Sequence, residues 1–474
     1  LREADLTVDF DVVVVGSGLA GMAAAIASAN AGASVVVLEA QPKLGGATRQ
    51  STGILLGAGT RFQRERGFVD TAGSLLRDLL HMNQWRGCSA LMRTLALGAG
   101  PSVEWLAGIG VGIDDLTFSG EEETPRAHVT AGGNVIYDAV EAHGRALGVE
   151  IIARARVERL VLRNGCVCGV MVNGEAVSAG AVILACGGYG ANANLIARFH
   201  GGEESSTQIG YVGPEGATGD IFDLAGTAGA DMIFGPGSRA PTCAFGSSYL
   251  PSFAVIVNQA GRRFIDESMS YGVAEALFHR QPGKRGYLIF DEAVKCSLTS
   301  MKVTARYFKT LVPHLDPAVR NWRSHAIDEL VAQGAVFAER SLDDLARRWG
   351  IPPDSLHTTI EMYNRYAELS EDRDFFKSHL GLRPITTPPF YSTDVTLGKF
   401  GLTGSGVRTD ASLAVQRPDE TRVPGLFAAG ECVGRITGDI YYGSGASLSA
   451  AIVSGFAAGA SASAGRSSTP LRCP

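Results

Sequence analysis

Long apolar runs are missing from this sequence. Its most apolar stretch, residues 12–38, is broken by Gly16, Gly18, Gly21, Asn30 and Gly32. A membrane-spanning helix needs about 20 mostly apolar residues in succession, so no integral membrane segment is expected. A basic tract is missing as well: 42 Lys and Arg against 48 Asp and Glu leave a net charge of −6. That balance gives no electrostatic footprint for nucleic acid and points to a small-molecule partner. The eight cysteines form no C-x-x-C pair and no metal-type spacing, which excludes a structural zinc site and an attached haem; reduced thiols in a cytoplasmic protein are expected. Neither a signal-peptide pattern nor a solenoid-type repeat is present.

What the chain does have is abundant, clustered glycine. Sixty of 474 residues are Gly, above the usual ~7%, and they gather at strand-to-helix junctions, where the backbone must approach something closely. The length exceeds what one core accommodates, so two domains are expected. Residues 10–15 form a short β-branched run that reads as a buried parallel strand. Gly16-Ser17-Gly18-Leu19-Ala20-Gly21 follows, then an Ala-rich helix over 22–30 and a second buried strand over 33–38 that ends at Glu39. A G-x-G-x-x-G alone is weak evidence; inside a complete strand–turn–helix–strand unit closed by an acid it marks a dinucleotide site. Gly16 permits the turn, Gly18 lets backbone touch a pyrophosphate, and Gly21 lets helix and strand pack closely. Leu19 and Ala20 lie in the cofactor turn before the helix, whose N-terminal N–H groups face the phosphates, while Glu39, with Ala40, takes the ribose.

The residues after Glu39 choose between flavin and nicotinamide. Gly45, Gly46, Ala47, Thr48, Ser51, Thr52 and Gly53 form a Gly- and hydroxyl-rich loop that resembles the flavoprotein segment running along pyrophosphate and ribitol. Ala185-Cys186-Gly187-Gly188 resembles the flavoprotein A-x-G-G motif. Residues 423–431 resemble the C-terminal motif whose acid, here Glu431 after Gly430, contacts ribitol. A helix starting near Ser447 and Leu448 would aim N–H groups at the flavin's pyrimidine ring.

With Gly216-Ala217-Thr218-Gly219-Asp220 and residues 258–267, these segments make the chain, from residue 11 to about 459, similar to the fumarate reductase and succinate dehydrogenase flavoprotein superfamily, including its 3-ketosteroid dehydrogenase branch. The resemblance implies an α/β fold: a discontinuous Rossmann-like FAD-binding domain over 1–233 and 388–460, an inserted α+β capping domain over 234–387, and a flexible tail over 461–474. It implies bound FAD, with Val157, Gly219 and Asp220 joining the residues above.

Fumarate reductases of this superfamily carry an Arg proton donor where this chain has Tyr271, and an H-G-x-N-R stretch where it has Thr437-Gly438-Asp439-Ile440-Tyr441. Arg offers a permanent charge and a fork that matches a carboxylate, and Tyr offers neither, so a dicarboxylate substrate is disfavoured. Glu267-Ser268-Met269-Ser270-Tyr271 resembles the E-S-x-x-Y stretch of the ketosteroid branch. Its C-terminal motif can be laid on this chain in two ways: Tyr441 with Gly445 polarising a ketone, or Tyr442 with Ser444 forming a proton relay. The implied reaction is α,β-desaturation of a cyclic ketone, a 3-ketosteroid or a smaller cyclohexanone-type ring, with Tyr271 taking the α-proton; the alternative is an enone or fumarate-type C=C reductase. Electrons would pass to an external acceptor: a quinone, oxygen or a redox protein. Residues 249–257 and 299–308 are expected to line the pocket, and Tyr249, Arg126 and His128 to be structural.

Overall fold

The structure is a computed structural model that describes residues 8–120, 122–200, 210–246, 252–298 and 322–464. Two compact units emerge: residues 1–238 with 400–474, and residues 239–399. The first unit is built on an eight-stranded sheet. Five of its strands run parallel in the order Arg422–Ala428, Glu175–Leu184, Phe10–Val15, Val35–Glu39, Glu150–Ala153. The Val- and Ile-rich sequence of the central strands suits burial on both faces; Val13, Val14, Val37, Val182, Ile183 and Leu184 are all inaccessible. Glu175–Leu184 is long enough to serve twice. Its first half closes an antiparallel meander with Cys166–Val172, and its second half pairs in parallel with Phe10–Val15.

The Ala-rich helix spans Leu19–Asn30, three residues earlier than its composition implies, because Gly18 is extended and ends the turn at once. It packs on Ala446–Ala464, a helix equally poor in large side chains. A Cβ on Gly455 would lie 2.3 Å from the Ala20 carbonyl oxygen, and one on Gly459 would lie 2.2 Å from that of Ala24. Ala446–Ala464 is the one described helix long and apolar enough to cross a membrane by length and composition. Its glycine face against Leu19–Asn30 makes it a core helix. Residues 461–464, expected to be tail, continue this helix, with Ser463 buried and its hydroxyl donating to the Gly459 carbonyl. The remainder of the expected tail lies outside the described residues.

The second unit holds a five-stranded antiparallel sheet in which Phe390–Leu397 pairs with Pro241–Cys243, Arg285–Asp291 and Phe337–Glu339. That strand corrects the expected return near residue 387: its ladder keeps residues 388–399 with the second unit. The other crossing falls after Ser238 rather than at 234, since Met232–Ile233 pairs with Gly406–Val407 of the first unit. Two cores flank the sheet, one centred on Phe253, Phe290 and Trp322, the other on Ile289, Leu356 and Tyr363.

The helix crossing gives a direct test. Gly455→Val should lower the denaturation midpoint by the equivalent of about 1–3 kcal/mol, the usual range for overpacking, with the denaturant slope unchanged. A neutral result would mean that the two helices do not meet as closely as described.

Candidate active site

The first Gly-rich turn behaves as three different glycines. Gly16 has φ +106°, and a Cβ there would sit 2.4 Å from the Ala185 carbonyl oxygen. At Gly21 a Cβ would sit 1.9 Å from the Gly16 carbonyl oxygen, so strand and helix touch through backbone. Gly18 is the opposite case: a Cβ would meet nothing within 4 Å. The helix behind it carries no side-chain cap and no acid in its first turn. Only the Leu19 N–H is taken, by Thr48 Oγ1 at 3.1 Å. Open space in front of uncapped N–H groups at the positive end of a helix suits a pyrophosphate.

Glu39, buried at the end of its strand, ties this turn together. Its Oε2 accepts from the Ser17 N–H at 2.9 Å and the Ser17 hydroxyl at 2.6 Å, and its Oε1 accepts from the Gln41 N–H at 2.8 Å. The Ser17 oxygen accepts in turn from the Gly45 N–H at 3.0 Å. A carboxylate offers about four acceptor positions, so three such bonds leave capacity for a ribose hydroxyl. Within the Gly- and hydroxyl-rich loop, Gly45 and Gly46 have φ +106° and +48°, Ser51 donates to the Thr48 carbonyl, and Gly53 abuts Gly132.

Ala185 and Glu431 follow the carboxyl ends of two paired parallel strands, Glu175–Leu184 and Arg422–Ala428. Ala185 donates to the Val15 carbonyl, and Gly219 donates to that of Gly188. Asp220 is held by Arg156 and Thr218, and Val157 is buried where its strand begins. Glu431 accepts from the Thr403 N–H at 2.7 Å and hydroxyl at 2.6 Å, and desolvation pushes its carboxyl above the usual carboxylate range. A Cβ on Gly188 would lie 2.3 Å from Glu431 Oε1, so that glycine makes the room the acid occupies. Thr403 carried no motif and was not legible in advance.

The two tyrosines of the C-terminal turn part company. Tyr442 is 1% exposed, and its oxygen accepts from Arg126 at 2.7 Å. Arg126 is as deeply buried and is held by both oxygens of Asp70, by Asp78 and by Ser74. Burial pushes the Tyr442 hydroxyl far above the usual phenol range, helped by the Glu122 charge and opposed by Arg126. Tyr441 is half-buried, and its oxygen accepts from the Ser447 hydroxyl at 2.9 Å and N–H at 3.3 Å, at the start of Ala446–Ala464.

Around them the loop is pinned by residues that sequence inspection missed. The buried Asn83 side chain accepts from the Asp439 and Ile440 N–H groups at 2.7 and 2.8 Å. Ser119 bonds both the N–H and the carbonyl of Ser444, and Glu122 accepts from the Ser119 and Gly120 N–H groups. Gly445 has φ +95° and packs against Leu55 and Leu56. Its carbonyl accepts from the Leu56 N–H, while its own N–H has no hydrogen-bond partner among the described residues. His128, between Thr60 and the Arg126 carbonyl, is lowered by burial to about 4 and is neutral at pH 7.

In the second unit, Tyr271 is half-buried and opens the helix Tyr271–Phe278. Four residues before it, Glu267 is buried and engaged by Arg263 at 3.0 Å, Lys377 at 2.9 Å and the Ile256 N–H at 3.0 Å. Arg263 is shared with Asp372. Tyr249, residues 247–251 and the expected pocket segment 299–308 lie outside the described residues.

The Gly18 cradle separates ligand binding from stability. Gly18→Ala, at φ −61° and with free space around the new carbon, should leave the thermal midpoint of the flavin-free protein within the equivalent of about 0.5 kcal/mol. FAD affinity, followed by flavin fluorescence, should fall at least about tenfold, since displacing a backbone–phosphate contact forfeits roughly a charge-assisted hydrogen bond.

The FAD binding domain family matches residues 11–448. The fumarate reductase (cytochrome) of Shewanella frigidimarina is 30% identical over 448 residues, covering 90% of this chain and 72% of that protein. The NADH:fumarate oxidoreductase of Klebsiella pneumoniae is 28% identical over 90% of this chain, which spans only 45% of that protein's length. Among solved structures, 3-ketosteroid-delta4-(5alpha)-dehydrogenase from Rhodococcus jostii RHA1 superposes with a TM-score of 0.79 at 26% identity, covering 98% of this chain and 99% of that one. A matched family across nearly the whole chain, and a dinucleotide turn with the space and donors to fit, together show an FAD-dependent oxidoreductase that belongs to the fumarate reductase and succinate dehydrogenase flavoprotein superfamily.

Proposed function

We propose that this enzyme introduces a C=C bond α,β to the carbonyl of a cyclic ketone, a 3-ketosteroid or a smaller cyclohexanone-type ring. On this reading the first unit is a discontinuous Rossmann-like FAD domain, with the second unit as its cap. FAD is held by the Gly16–Gly21 turn, Glu39, the 45–53 loop and Glu431, and when bound it supplies the acceptor for the β-hydrogen. The ketone oxygen accepts from the Tyr441 hydroxyl and the Gly445 N–H, which stabilise the enolate that develops as the α-proton leaves. Tyr271 takes that proton. Tyr442 serves as support, because its oxygen is taken by Arg126, and Ser444 holds the turn through its backbone, which is bonded to Ser119.

The observation that carries the proposal is the state of the cations. Among the described residues, the deeply buried Arg126 and Arg263 each face two carboxylates, and Lys377 faces Glu267. A substrate dicarboxylate needs an unengaged fork of donors; these three are already neutralised and the buried Arg239 donates to the Gly398 and Leu397 carbonyls, whereas a backbone N–H with no partner among the described residues, beside a phenol, suits a ketone. The relatives named as reductases favour a second reading with the same parts, in which an external donor loads the flavin and an enone is reduced. In either direction the electron partner is a quinone, oxygen or a redox protein.

Anaerobic bleaching of the flavin decides between these readings. A saturated cyclic ketone should bleach the oxidised-flavin absorbance, and succinate should not; bleaching by succinate overturns the proposal. Tyr271→Phe should abolish the ketone response. Tyr441→Phe should slow it by about 10²-fold, the scale of one lost oxyanion donor. Tyr442→Phe should keep turnover within about threefold while lowering stability by about 1–2 kcal/mol, the scale of a hydrogen bond taken from a buried partner.

A further inference from the structure

Two thiols of the first unit stand outside the chemistry above. Cys186 follows the strand Glu175–Leu184, and Cys432 closes the Gly430–Cys432 turn. They are 246 positions apart in sequence, yet their sulfurs lie 3.6 Å from each other. Cys432 is inaccessible and its Sγ also lies 3.5 Å from the Gly187 carbonyl, whereas Cys186 is only half-buried.

Both backbones are fixed. A Cβ on Gly16 would stand 3.0 Å from the Cys186 Cα, and Ala185 is bonded to Val15. On the other side the Gly430 N–H donates to Ser454 at 2.8 Å, and Glu431 is held by Thr403. The two side chains therefore meet without any movement of the chain. Closing a disulfide from 3.6 Å needs the sulfurs to approach by about 1.5 Å, to the usual bond length of about 2.05 Å.

We propose that Cys186 and Cys432 are a modification site: a dithiol that hydrogen peroxide converts to a disulfide, joining the A-x-G-G segment to the segment that carries Glu431. The more exposed Cys186 gives up its proton and attacks peroxide. A sulfur–oxygen bond forms, the oxygen–oxygen bond breaks, and the departing hydroxide takes the proton to leave as water. Cys432 then attacks the sulfur of this sulfenic acid; the sulfur–sulfur bond forms, the sulfur–oxygen bond breaks, and a second water leaves. Two thiols have lost two electrons, and peroxide has gained them as two waters. An accessible thiol beside a resolving one is the usual arrangement of such sensors. Peroxide is also what oxygen becomes on accepting two electrons, so a flavoenzyme that uses oxygen generates the oxidant beside its own cofactor. The bond to Cys432, then burial, hold the Cys186 thiol well above its ordinary range. Little of it is thiolate at neutral pH, so its reaction with peroxide is slow.

The proposal rests on the FAD assignment and not on the ketone. The test is to treat the FAD-loaded protein with hydrogen peroxide, alkylate with N-ethylmaleimide, and map peptides without reduction. Two fewer alkylated thiols are expected, with the peptide of Cys186 joined to that of Cys432 and released by dithiothreitol. In Cys432→Ser, dimedone should label Cys186 and no cross-link should form. Unchanged thiol counts in the wild-type protein, a cross-link between other cysteines, or Cys186 driven to sulfinic acid with Cys432 still reduced would each overturn it. Since the readout is covalent mass and not turnover, it is indifferent to the substrate, and failure of the ketone reading leaves it intact.

Discussion

The near-contact of two helices from opposite ends of the chain is the constraint on which the first unit depends. Leu19–Asn30 starts immediately after Gly18, where its N–H groups suit a phosphate, and Ala446–Ala464 starts immediately after Gly445, at the end of the Tyr441–Gly445 turn. The distance between the two starting points is set where Gly455 and Gly459 meet the Ala20 and Ala24 carbonyls. Larger residues anywhere along that seam would spread both binding regions at once. The alanine and glycine content of the two segments is thus a geometric requirement, and it also explains why a helix with a membrane-like composition belongs to the core.

Buried polar groups supply the remaining precision. Glu39, Asn83 and Glu122 are buried and Glu431 is half-buried, and each accepts from backbone N–H groups of a loop that has no regular structure of its own. Loops fixed in this way keep their shape without a ligand, which lowers the ordering cost of binding. The same logic holds in the second unit, where Glu267 anchors the stretch that leads to Tyr271.

The parts of this design that were legible in the sequence are the local ones. The Gly16–Gly21 turn, Glu39 and the central strands follow from period, glycine spacing and β-branched runs over a few tens of residues. The burial of Tyr442 on an ion cluster is not legible, because it depends on Arg126, more than three hundred positions away, which a one-dimensional pattern cannot bring to a phenol. Asn83, Ser119 and Thr403 escaped for the same reason: single polar residues acquire meaning only from the backbone they meet. The return to the first unit was placed early because the prolines near residue 387 look like a linker, whereas the strand after them is claimed by the second unit's sheet.

The ion cluster behind Tyr442 bears on how readily such an enzyme could change its substrate preference over evolutionary time. A guanidinium already lies in the wall of the turn, so a carboxylate-binding descendant would not need to invent a cation. It would need to liberate one. Removing Asp70 alone takes the bidentate partner from a buried guanidinium and leaves it with Asp78, a destabilising loss for a charge out of water. Removing Asp78 alone leaves Arg126 still clasped by both oxygens of Asp70. Neither substitution alone frees Arg126, so the guanidinium stays committed to the fold.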